Sequence, residues 1–272
     1  MEADNKQRGW VLVTGASSGI GADFARVFAR KKRDVALVAR SRERLDALAG
    51  ELTKTHGVRA RVLPADLARP GAAEEIQRAL QADGIEVETL VNNAGFGMHG
   101  PFVELDPRRQ SEMISVNVVA LTELCRVFAP DMVSRGQGGI LNVASTGAFS
   151  PGPTMSVYCA TKAFVLSFTE ALANELHGSG VTVTCLCPGV TATSFHEVSG
   201  TTRMRLVRVG TPMTSVAVAE AGERALLRGS SLAVPGLLNR ALAMSVRFVS
   251  IRAAAGVARW FLASAPERTA TP

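Results

Sequence analysis

The chain contains a single tyrosine, Tyr158, and Lys162 follows it four positions later in the stretch YCATK. Residues four apart share one face of an α-helix, so a helix here places the phenol beside the ammonium group. A tyrosine can exchange a proton with a substrate oxygen, but its ordinary pKa of about 10 makes it a weak base near neutral pH. A lysine cation roughly 5 Å away favours the phenolate by roughly 3 kcal/mol, which predicts a tyrosine pKa lowered to about 8. A buried aromatic beside a surface lysine gives the same pattern, so the other motifs must decide.

Two further polar residues stand where chemistry would need them. Ser145 ends the apolar run GILNVAS, and Asn117 lies in the apolar helical pattern ISVNVVA. A hydroxyl at the carboxyl end of a strand in an open parallel sheet can reach a substrate carbonyl. An asparagine on an apolar helical face needs hydrogen-bond partners, and a satisfied buried amide explains Asn117 as well as a catalytic role does.

A glycine-rich loop, TGASSGIG, occupies residues 14–21 between the first predicted strand and the first predicted helix. Gly15, Gly19 and Gly21 fall where a tight turn, a close backbone approach and helix–strand packing require a missing side chain. The free amides at the start of the helix, aided by its dipole, can bind a pyrophosphate. The loop therefore predicts a dinucleotide site.

The end of the second predicted strand indicates which dinucleotide binds. An NAD site places an acid about 20 residues beyond the glycines, where it bonds the ribose 2′-hydroxyl. Here that position holds Ala39, followed by Arg40, Ser41 and Arg42. An arginine fork can bind a 2′-phosphate that an acid would repel. NADP (NADPH) is favoured over NAD, the alternative being an exposed Arg40 with no partner, and Arg42 is expected to share the phosphate.

Short apolar runs alternate with helical patterns along the chain. The predicted strands span residues 10–15, 34–40, 59–65, 88–94, 139–145, 181–187 and 232–235, and the predicted helices lie near 19–32, 41–55, 71–82, 108–135, 155–178 and 215–228. Strands of continuous apolarity separated by helices predict a parallel sheet covered on both faces. The fold class is therefore α/β, a Rossmann-type doubly wound parallel sheet of about seven strands in the order 3-2-1-4-5-6-7. We expect one domain over residues 1–272, with a core of about 8–235 and an apolar, basic C-terminal extension over 236–272.

Composition narrows the function classes. Hydrophobic residues make up 47% of the chain and charged residues 20%, which predicts a substantial core, and the net charge is +6. That charge suits an anionic cofactor, an anionic substrate, an acidic membrane surface or nucleic acid, but scattered arginines and 5% aromatics disfavour nucleic acid. The four cysteines and four histidines lack metal-site spacing, so no metal and no disulfide framework are expected. A polar N-terminus and the lack of an uncharged apolar run of roughly 18 residues predict a cytoplasmic location.

Taken in order, the motifs resemble the short-chain dehydrogenase/reductase superfamily, in its single-domain, NADP-preferring branch, over about residues 8–235. They are TGASSGIG, ADL with Asp66, NNAG at 92–95, Asn117, Ser145, YCATK and PGVTAT at 188–193. The resemblance implies an NADP-dependent carbonyl reductase or alcohol dehydrogenase that transfers hydride between NADPH and a ketone or 3-oxoacyl-type substrate. It also implies an apolar small-molecule carbonyl or alcohol as substrate and a homodimer or homotetramer.

The resemblance assigns catalytic roles to four residues. Tyr158 is the implied acid/base, and Lys162 binds the nicotinamide ribose while lowering the tyrosine pKa. Ser145 orients the substrate oxygen, and Asn117 supports a water-linked proton relay.

The resemblance also implies a set of cofactor-binding residues. They are Gly15, Ser17, Ser18, Gly19, Ile20, Gly21, Arg40, Asp66, Leu67, Asn93, Ala94, Gly95, Tyr158, Lys162, Pro188, Gly189, Val190, Thr191 and Thr193. Within this set, the implied contacts are Asp66 with the adenine, Asn93 with the adenosine ribose, and Val190 with Thr191 at the nicotinamide carboxamide.

The segment 194–212 is expected to close over the substrate. It carries Arg203, Arg205 and Arg208, which either contact an anionic substrate or are solvated charges on a loop.

Residues 237–262 place four arginines among apolar residues. These are Arg240, Arg247, Arg252 and Arg259. On one continuous helix they cover an arc of roughly 140° and leave a wide apolar face. That face can pack on the chain's own domain or a second subunit, line an apolar substrate entrance, or lie on a membrane. A membrane-surface reductase of lipid substrates and a non-catalytic dinucleotide-binding protein are therefore the alternatives to a freely soluble reductase.

Overall fold

The computed structural model describes residues 9–202, 204–209 and 212–263. The described strands are β1 (Trp10–Thr14), β2 (Val35–Ala39), β3 (Ala60–Pro64), β4 (Val87–Asn92), β5 (Gly138–Val143), β6 (Val181–Leu186), β7 (Thr191–Ala192), β8 (Met213–Thr214) and β9 (Leu232–Ala233). Seven of them form one parallel sheet in the order β3-β2-β1-β4-β5-β6-β9, and β7 pairs separately with β8. Because β9 is the seventh strand of the main sheet, the predicted fold class and strand order are confirmed.

Helices connect the strands close to the predicted positions. They are α1 (Gly19–Arg30), α2 (Arg42–His56), α3 (Ala72–Ala82), α4 (Pro107–Ile114), α5 (Leu121–Arg135), α6 (Ser156–Glu175), α7 (Phe195–Val198), α8 (Arg205–Val209), α9 (Ser215–Leu227), α10 (Leu237–Ser245) and α11 (Ile251–Leu262). A π-helical segment, Ser115–Ala120, joins α4 to α5, and Thr146–Ala148 and Val246–Phe248 form 3₁₀ turns.

The two faces of the sheet carry separate cores. Leu12 of β1 packs in a core with side chains of α3, α5 and α6, whereas its neighbours Val11 and Val13 pack with side chains of α1, α2 and α9. Successive strand residues point to opposite faces, so a strand covered on both sides must be apolar at every position. This explains the unbroken apolar runs in the sequence.

One helical run is long and apolar enough to cross a membrane by length and composition. It spans Pro107–Arg135, 29 residues, and its most apolar window has a mean hydropathy of 1.4. Leu121, Leu124 and Phe128 of this run lie in the core beneath the sheet. Packing inside the domain therefore accounts for part of its apolar composition, since 39% of that window is buried while Ile114, Val119 and Val133 are exposed.

The C-terminal segment differs from its prediction. The 3₁₀ turn Val246–Phe248 separates α10 from α11, and Ser250 then caps α11 by accepting a hydrogen bond from the Ala253 amide at 3.3 Å. The arginine arc calculated for one continuous helix is therefore wrong, because the chain changes direction within the segment. The Arg247 side chain lies outside the described part of the structure.

Candidate active site

A cavity of about 500 Å³ lies at the sheet edge where the strands end. All strands of the main sheet are parallel, so the residues that follow β1, β2, β4, β5 and β6 meet there. Every residue of the predicted cofactor set except Gly21 lines this cavity, as do Ser145, Tyr158 and Lys162. The sequence motifs are thus brought together on one surface.

The glycine loop forms a tight cradle at the end of β1. Gly15 and Gly19 have φ angles of 66° and 55°, in the region that favours glycine. A Cβ added to Gly21 would lie 2.2 Å from the Gly15 carbonyl oxygen and 2.5 Å from Asn93 Nδ2, so this glycine lets α1 approach the loop. Ser18, at the start of α1, makes no side-chain capping bond within the described residues. The first-turn amides are therefore available to an anion, and the loop fits a dinucleotide pyrophosphate.

Asn93 supports the loop from the end of β4. Its Nδ2 donates to the Thr14 carbonyl at 3.0 Å, and its backbone amide donates to Thr14 Oγ1, also at 3.0 Å. Asp66, in the wall after β3, accepts a hydrogen bond from the Ala68 amide at 3.0 Å. The ribose contact of Asn93 and the adenine contact of Asp66 stay predictions.

Arg40, which follows β2, has an ion-pair partner. The alternative interpretation, an exposed arginine without a partner, is therefore wrong. Its side chain is 65% exposed, and its Nη1 lies 3.4 Å from Glu112 Oε1 on α4. Glu112 also accepts from Arg109 Nη1 at 2.5 Å. A ligand phosphate would therefore have to share Arg40 with a carboxylate.

Arg44, rather than Arg42, lines the cavity near Arg40. Ser41 caps α2 by accepting from the Arg44 amide at 3.4 Å, which sets the start of the helix and the position of Arg44. Arg42, for which the sharing role was predicted, does not line the cavity. The spacing of a capping serine and the third residue of its helix is the sequence signal that would have found it.

The loop after β6 is fastened to its neighbours. The Pro188 carbonyl accepts from the Thr146 amide at 2.9 Å, and the Val190 carbonyl accepts from the Met213 amide at 2.9 Å. Thr191 Oγ1 donates to the Gly189 carbonyl at 3.0 Å. These bonds hold the PGVTAT segment in the cavity wall, while the carboxamide contact implied for it stays a prediction.

Tyr158, Lys162 and Ser145 lie together, as predicted. The tyrosine and the lysine are one turn apart on α6 and both are buried, with Lys162 Nζ 5.9 Å from the centre of the phenol ring. Lys162 Nζ donates to the Val143 carbonyl at 2.8 Å. Ser145 Oγ accepts from the Gly147 amide at 3.0 Å, and its hydroxyl lies beside the Tyr158 side chain, where it lowers the pKa of the phenol.

The pKa of Tyr158 moves in the opposite direction to the prediction. Burial raises it above its ordinary value, and the hydrogen bond with Ser145 lowers it by less. Burial also lowers the pKa of Lys162 to about 8. The loss of solvent around the phenolate outweighs the attraction of the lysine cation from which the lower pKa was predicted. At neutral pH the phenol therefore keeps its proton and is a donor rather than a base.

Asn117 is a satisfied buried amide outside the cavity wall. It lies in the π-helical segment, its Oδ1 accepts from the Phe96 amide at 3.1 Å, and its Nδ2 donates to the Phe96 carbonyl at 3.0 Å and to Thr161 Oγ1 at 3.1 Å. Asn117 thus fixes the loop after β4. A π-helical bulge inside an α-helix is common beside functional sites, but the proton-relay role stays a prediction.

Apolar side chains that pack around Tyr158 form an apolar wall of the cavity. Its side chains are Phe96, Met155, Phe195, Met204 and Leu262. The rings of Phe195 and Tyr158 have centres 5.5 Å apart. The 194–212 segment was predicted to close over the substrate. The individual side chains of the apolar wall were not predicted, because no sequence motif links them.

Of the three loop arginines, Arg205 contacts a neighbouring helix rather than the cavity. The Arg205 guanidinium lies 5.0 Å from the centre of the Trp260 ring, and the Arg205 amide donates to the Ala263 carbonyl at 3.1 Å. Arg205 therefore joins α8 to α11 and does not line the cavity. Arg203 and the Arg208 side chain lie outside the described residues.

No group of three histidine, cysteine or acidic side chains that could hold a metal ion is found among residues 9–202, 204–209 and 212–263. The four cysteines are free and buried. Cys185 and Cys187 face the same side of the chain with sulfurs 3.7 Å apart, beyond the roughly 2.05 Å of a disulfide bond.

Comparison with known sequences matches residues 9–203 to the family model described as short chain dehydrogenase. Among the similar relatives, the very-long-chain 3-oxoacyl-CoA reductase of Anas platyrhynchos is 35% identical over 196 residues, 70% of this chain and 62% of the relative. The protein of that name from Homo sapiens is 32% identical over 193 residues, 70% of this chain and 61% of the relative. The match thus spans about three fifths of the length of these relatives.

Solved structures match over nearly their whole length. A short-chain dehydrogenase from Sphingobium yanoikuyae in complex with NADPH has a TM-score of 0.80 and 37% identity, covering 89% of this chain and 94% of that one. The bulky-bulky ketone specific alcohol dehydrogenase of Comamonas testosteroni has a TM-score of 0.75 and 30% identity, covering 90% and 96%. A 7β-hydroxysteroid dehydrogenase has a TM-score of 0.82 and 27% identity, covering 92% and 96%. With the glycine loop, these matches identify the cavity as a nicotinamide dinucleotide site.

Proposed function

Because the chain belongs to the short-chain dehydrogenase family, whose members are oxidoreductases acting on CH–OH and carbonyl groups, we propose that it uses NADPH to reduce ketones flanked by bulky apolar groups, 3-oxoacyl thioesters among them. The observation that carries this proposal is the position of Tyr158. Its protonated phenol lies beside Ser145, between the glycine cradle and the apolar wall.

Each residue of the centre has a role in this proposal. Ser145 and Tyr158 bind the substrate carbonyl oxygen, and Tyr158 gives its proton to that oxygen as it becomes a hydroxyl. The bound NADPH supplies the hydride. Lys162, held by the Val143 carbonyl, binds the nicotinamide ribose and stabilises the phenolate left after the proton has moved. The raised pKa of Tyr158 keeps the phenol in the protonated form that donation to the carbonyl oxygen requires.

Preference for NADPH rests on the end of β2. Ala39 stands where an NAD site has an acid that bonds the ribose hydroxyls. Arg40 and Arg44 both line the cavity there. Two arginines in one wall suit a 2′-phosphate. The NADPH bound to the Sphingobium yanoikuyae protein agrees with this choice.

The substrate class rests on the apolar wall. Phenyl, thioether and leucine side chains surround the space beyond Tyr158, and such a surface binds apolar groups next to a carbonyl. The names of the relatives, which refer to very-long-chain 3-oxoacyl-CoA, bulky-bulky ketones and a hydroxysteroid, agree in the size and apolarity of the substrate.

The test is a substrate screen that follows NADPH consumption. It compares aryl ketones, steroid ketones and 3-oxoacyl-CoA esters of increasing chain length with acetone as the small control. We expect kcat/KM to rise with apolar size, and NADPH to exceed NADH by at least about tenfold on the best substrate. Turnover of acetone as fast as of the bulky ketones, or a preference for NADH, would overturn the corresponding part of the proposal.

A further inference from the structure

Exposed apolar side chains are concentrated in the C-terminal segment. Residues 237–262 make up about a tenth of the chain, yet they hold half of the large hydrophobic side chains that are exposed in the described structure. We call these nine the C-terminal surface: Leu237, Leu238, Leu242, Met244, Phe248, Val249, Ile251, Val257 and Trp260. Leu237 is 89% exposed and Phe248 is 85% exposed. So dense a set is typical of a docking surface.

The helices that carry this surface also border the active-site cavity. Asn239 of α10 packs on Gly189 of the cavity wall, where an added Cβ would meet its side chain at 2.5 Å. Leu262, the last residue of α11, lines the cavity itself. Whatever covers the C-terminal surface therefore lies next to the substrate cavity.

The net positive charge of the chain is concentrated in and just before this segment, since residues 237–262 contain four arginines and no acid against a net charge of +6 for the chain. Residues 224–266 contain six arginines and no aspartate or glutamate, while the rest of the chain balances 24 basic residues against 24 acidic ones. Arg240, Arg252 and Arg259 are exposed among the apolar side chains. The partner of the C-terminal surface must therefore accommodate these arginines. A second copy of the segment would bring no carboxylate to pair with them.

This charge pattern argues against a second copy as the partner. A two-fold dimer pairs a surface with the same surface of a second copy, and residues 237–262 offer no acid to pair with their own arginines. An anionic lipid surface, in contrast, attracts basic residues while its acyl region accepts leucine and phenylalanine side chains. Trp260 is a residue type enriched at the boundary between these two layers, and it is 56% exposed.

We propose that α10, the 3₁₀ turn and α11 dock the protein on an anionic lipid bilayer, with the C-terminal surface in the interfacial layer. The inference does not require the proposed reductase activity, since binding is measured without substrate. Docking places the cavity mouth near a phase that dissolves apolar ketones.

The test is co-sedimentation of the full chain with vesicles made of equal parts phosphatidylcholine and phosphatidylglycerol, and with vesicles of phosphatidylcholine alone. We expect binding to the anionic vesicles that weakens in 1 M salt, where the screening length falls to about 3 Å. Leu238→Ser with Leu242→Ser should weaken binding at least about tenfold. Arg252→Gln with Arg259→Gln should weaken it roughly twenty-five-fold, at about fivefold for each arginine.

Val103→Ser with Arg78→Gln is the matched control, because Val103 is 88% exposed and both residues are exposed outside the C-terminal segment. Each variant must bind NADPH as the wild type does, which shows that it is folded. The proposal is overturned if the wild type stays in the supernatant with anionic vesicles, or if the control weakens binding as much as the other pairs. It is also overturned if the wild type forms a dimer that Leu238→Ser with Leu242→Ser dissociates, since the C-terminal surface would then be a subunit interface.

Discussion

The two sides of the cavity are built in different ways. The cofactor side consists of backbone and small residues: an added Cβ at Gly21 would collide with the Gly15 carbonyl, and Asn93 hydrogen-bonds the Thr14 backbone. The substrate side consists of large apolar side chains from segments far apart in the chain, such as Phe96, Phe195 and Leu262. Backbone contacts allow little substitution, whereas an apolar wall can be reshaped one side chain at a time. This contrast teaches that one fold can keep its cofactor while its substrate changes.

Tyr158 stands between the two sides, and its loss should have the largest effect. Tyr158→Phe removes the proton donor and leaves the ring against Phe195, so kcat should fall about 10²- to 10⁴-fold while the Kd of NADPH stays within about twofold. Steady-state kinetics and fluorescence titration of NADPH measure the two quantities. A variant that keeps more than about a tenth of the wild-type turnover, with chemistry rate-limiting, would show that another group donates the proton.

A pair of glycine substitutions contrasts the two sides directly. Gly21→Ala would force its methyl group against backbone, so the Kd of NADPH should rise roughly ten- to a hundredfold. Gly256→Ala on α11 meets no heavy atom within 4 Å and should leave the Kd unchanged while stabilising the helix by about 0.5–1 kcal/mol. Calorimetric titration and thermal melts separate these outcomes. Equal effects of the two alanines on the Kd would remove the contrast.

Cofactor choice should respond to residues at the end of β2. A charged hydrogen bond contributes roughly 1.5–3 kcal/mol, so Ala39→Asp with Arg40→Ala should shift the NADPH-to-NADH preference about ten- to a hundredfold toward NADH, chiefly through KM. Because Glu112 competes with the cofactor phosphate for Arg40, we expect a shift in cofactor preference near the lower end of this range. For the same reason, Glu112→Gln should lower the KM of NADPH. The measurement is kcat/KM for both cofactors on one substrate at fixed low salt. A wild type that uses NADH at least as well as NADPH would refute the assignment.

The buried lysine predicts a pH dependence of stability. Its pKa is lowered from 10.5 to about 8, so between pH 8 and 10 the unfolded chain binds more protons at this site than the folded one. Stability therefore rises with pH in this window, by about 2 kcal/mol from this group. Above pH 10 the raised pKa of Tyr158 acts in the opposite direction, because the folded phenol then keeps a proton that the unfolded one has lost.

The free energy of unfolding from urea titrations at several pH values, wild type minus Lys162→Met, isolates this contribution. A difference that stays flat between pH 8 and 10 would mean that Lys162 titrates in the folded protein as it does in water.

Prediction from the sequence succeeded on the side where spacing carries the information. The glycine loop, the strand order and the joint position of Ser145, Tyr158 and Lys162 follow from motifs a few residues long, and the structure brings them together. The predicted direction of the Tyr158 pKa shift was wrong, because the phenol is buried by side chains such as Phe195, which no spacing rule connects to Tyr158. The cytoplasmic location, the single-domain boundaries and the homo-oligomer stay predictions.

The smallest expected effect belongs to one side chain of the apolar wall. Leu262 lines the cavity from the last turn of α11, so Leu262→Ala removes apolar contact from the substrate side and touches none of the glycine cradle. Leu262→Ala removes three carbon atoms from this wall. One missing methylene in an apolar pocket costs about 1–3 kcal/mol, and because Leu262 is partly exposed we expect the loss of all three to lower kcat/KM for a bulky ketone by about five- to tenfold. The same variant should change kcat/KM for acetone and the Kd of NADPH by less than about twofold. Val257→Ala, on the exposed outer face of the same helix, is the matched control and should leave all three quantities unchanged. If Leu262→Ala weakened NADPH binding as much as bulky-ketone turnover, α11 would support the cofactor side as well. The separation of a backbone-built cofactor side from a side-chain-built substrate side would then not hold for α11.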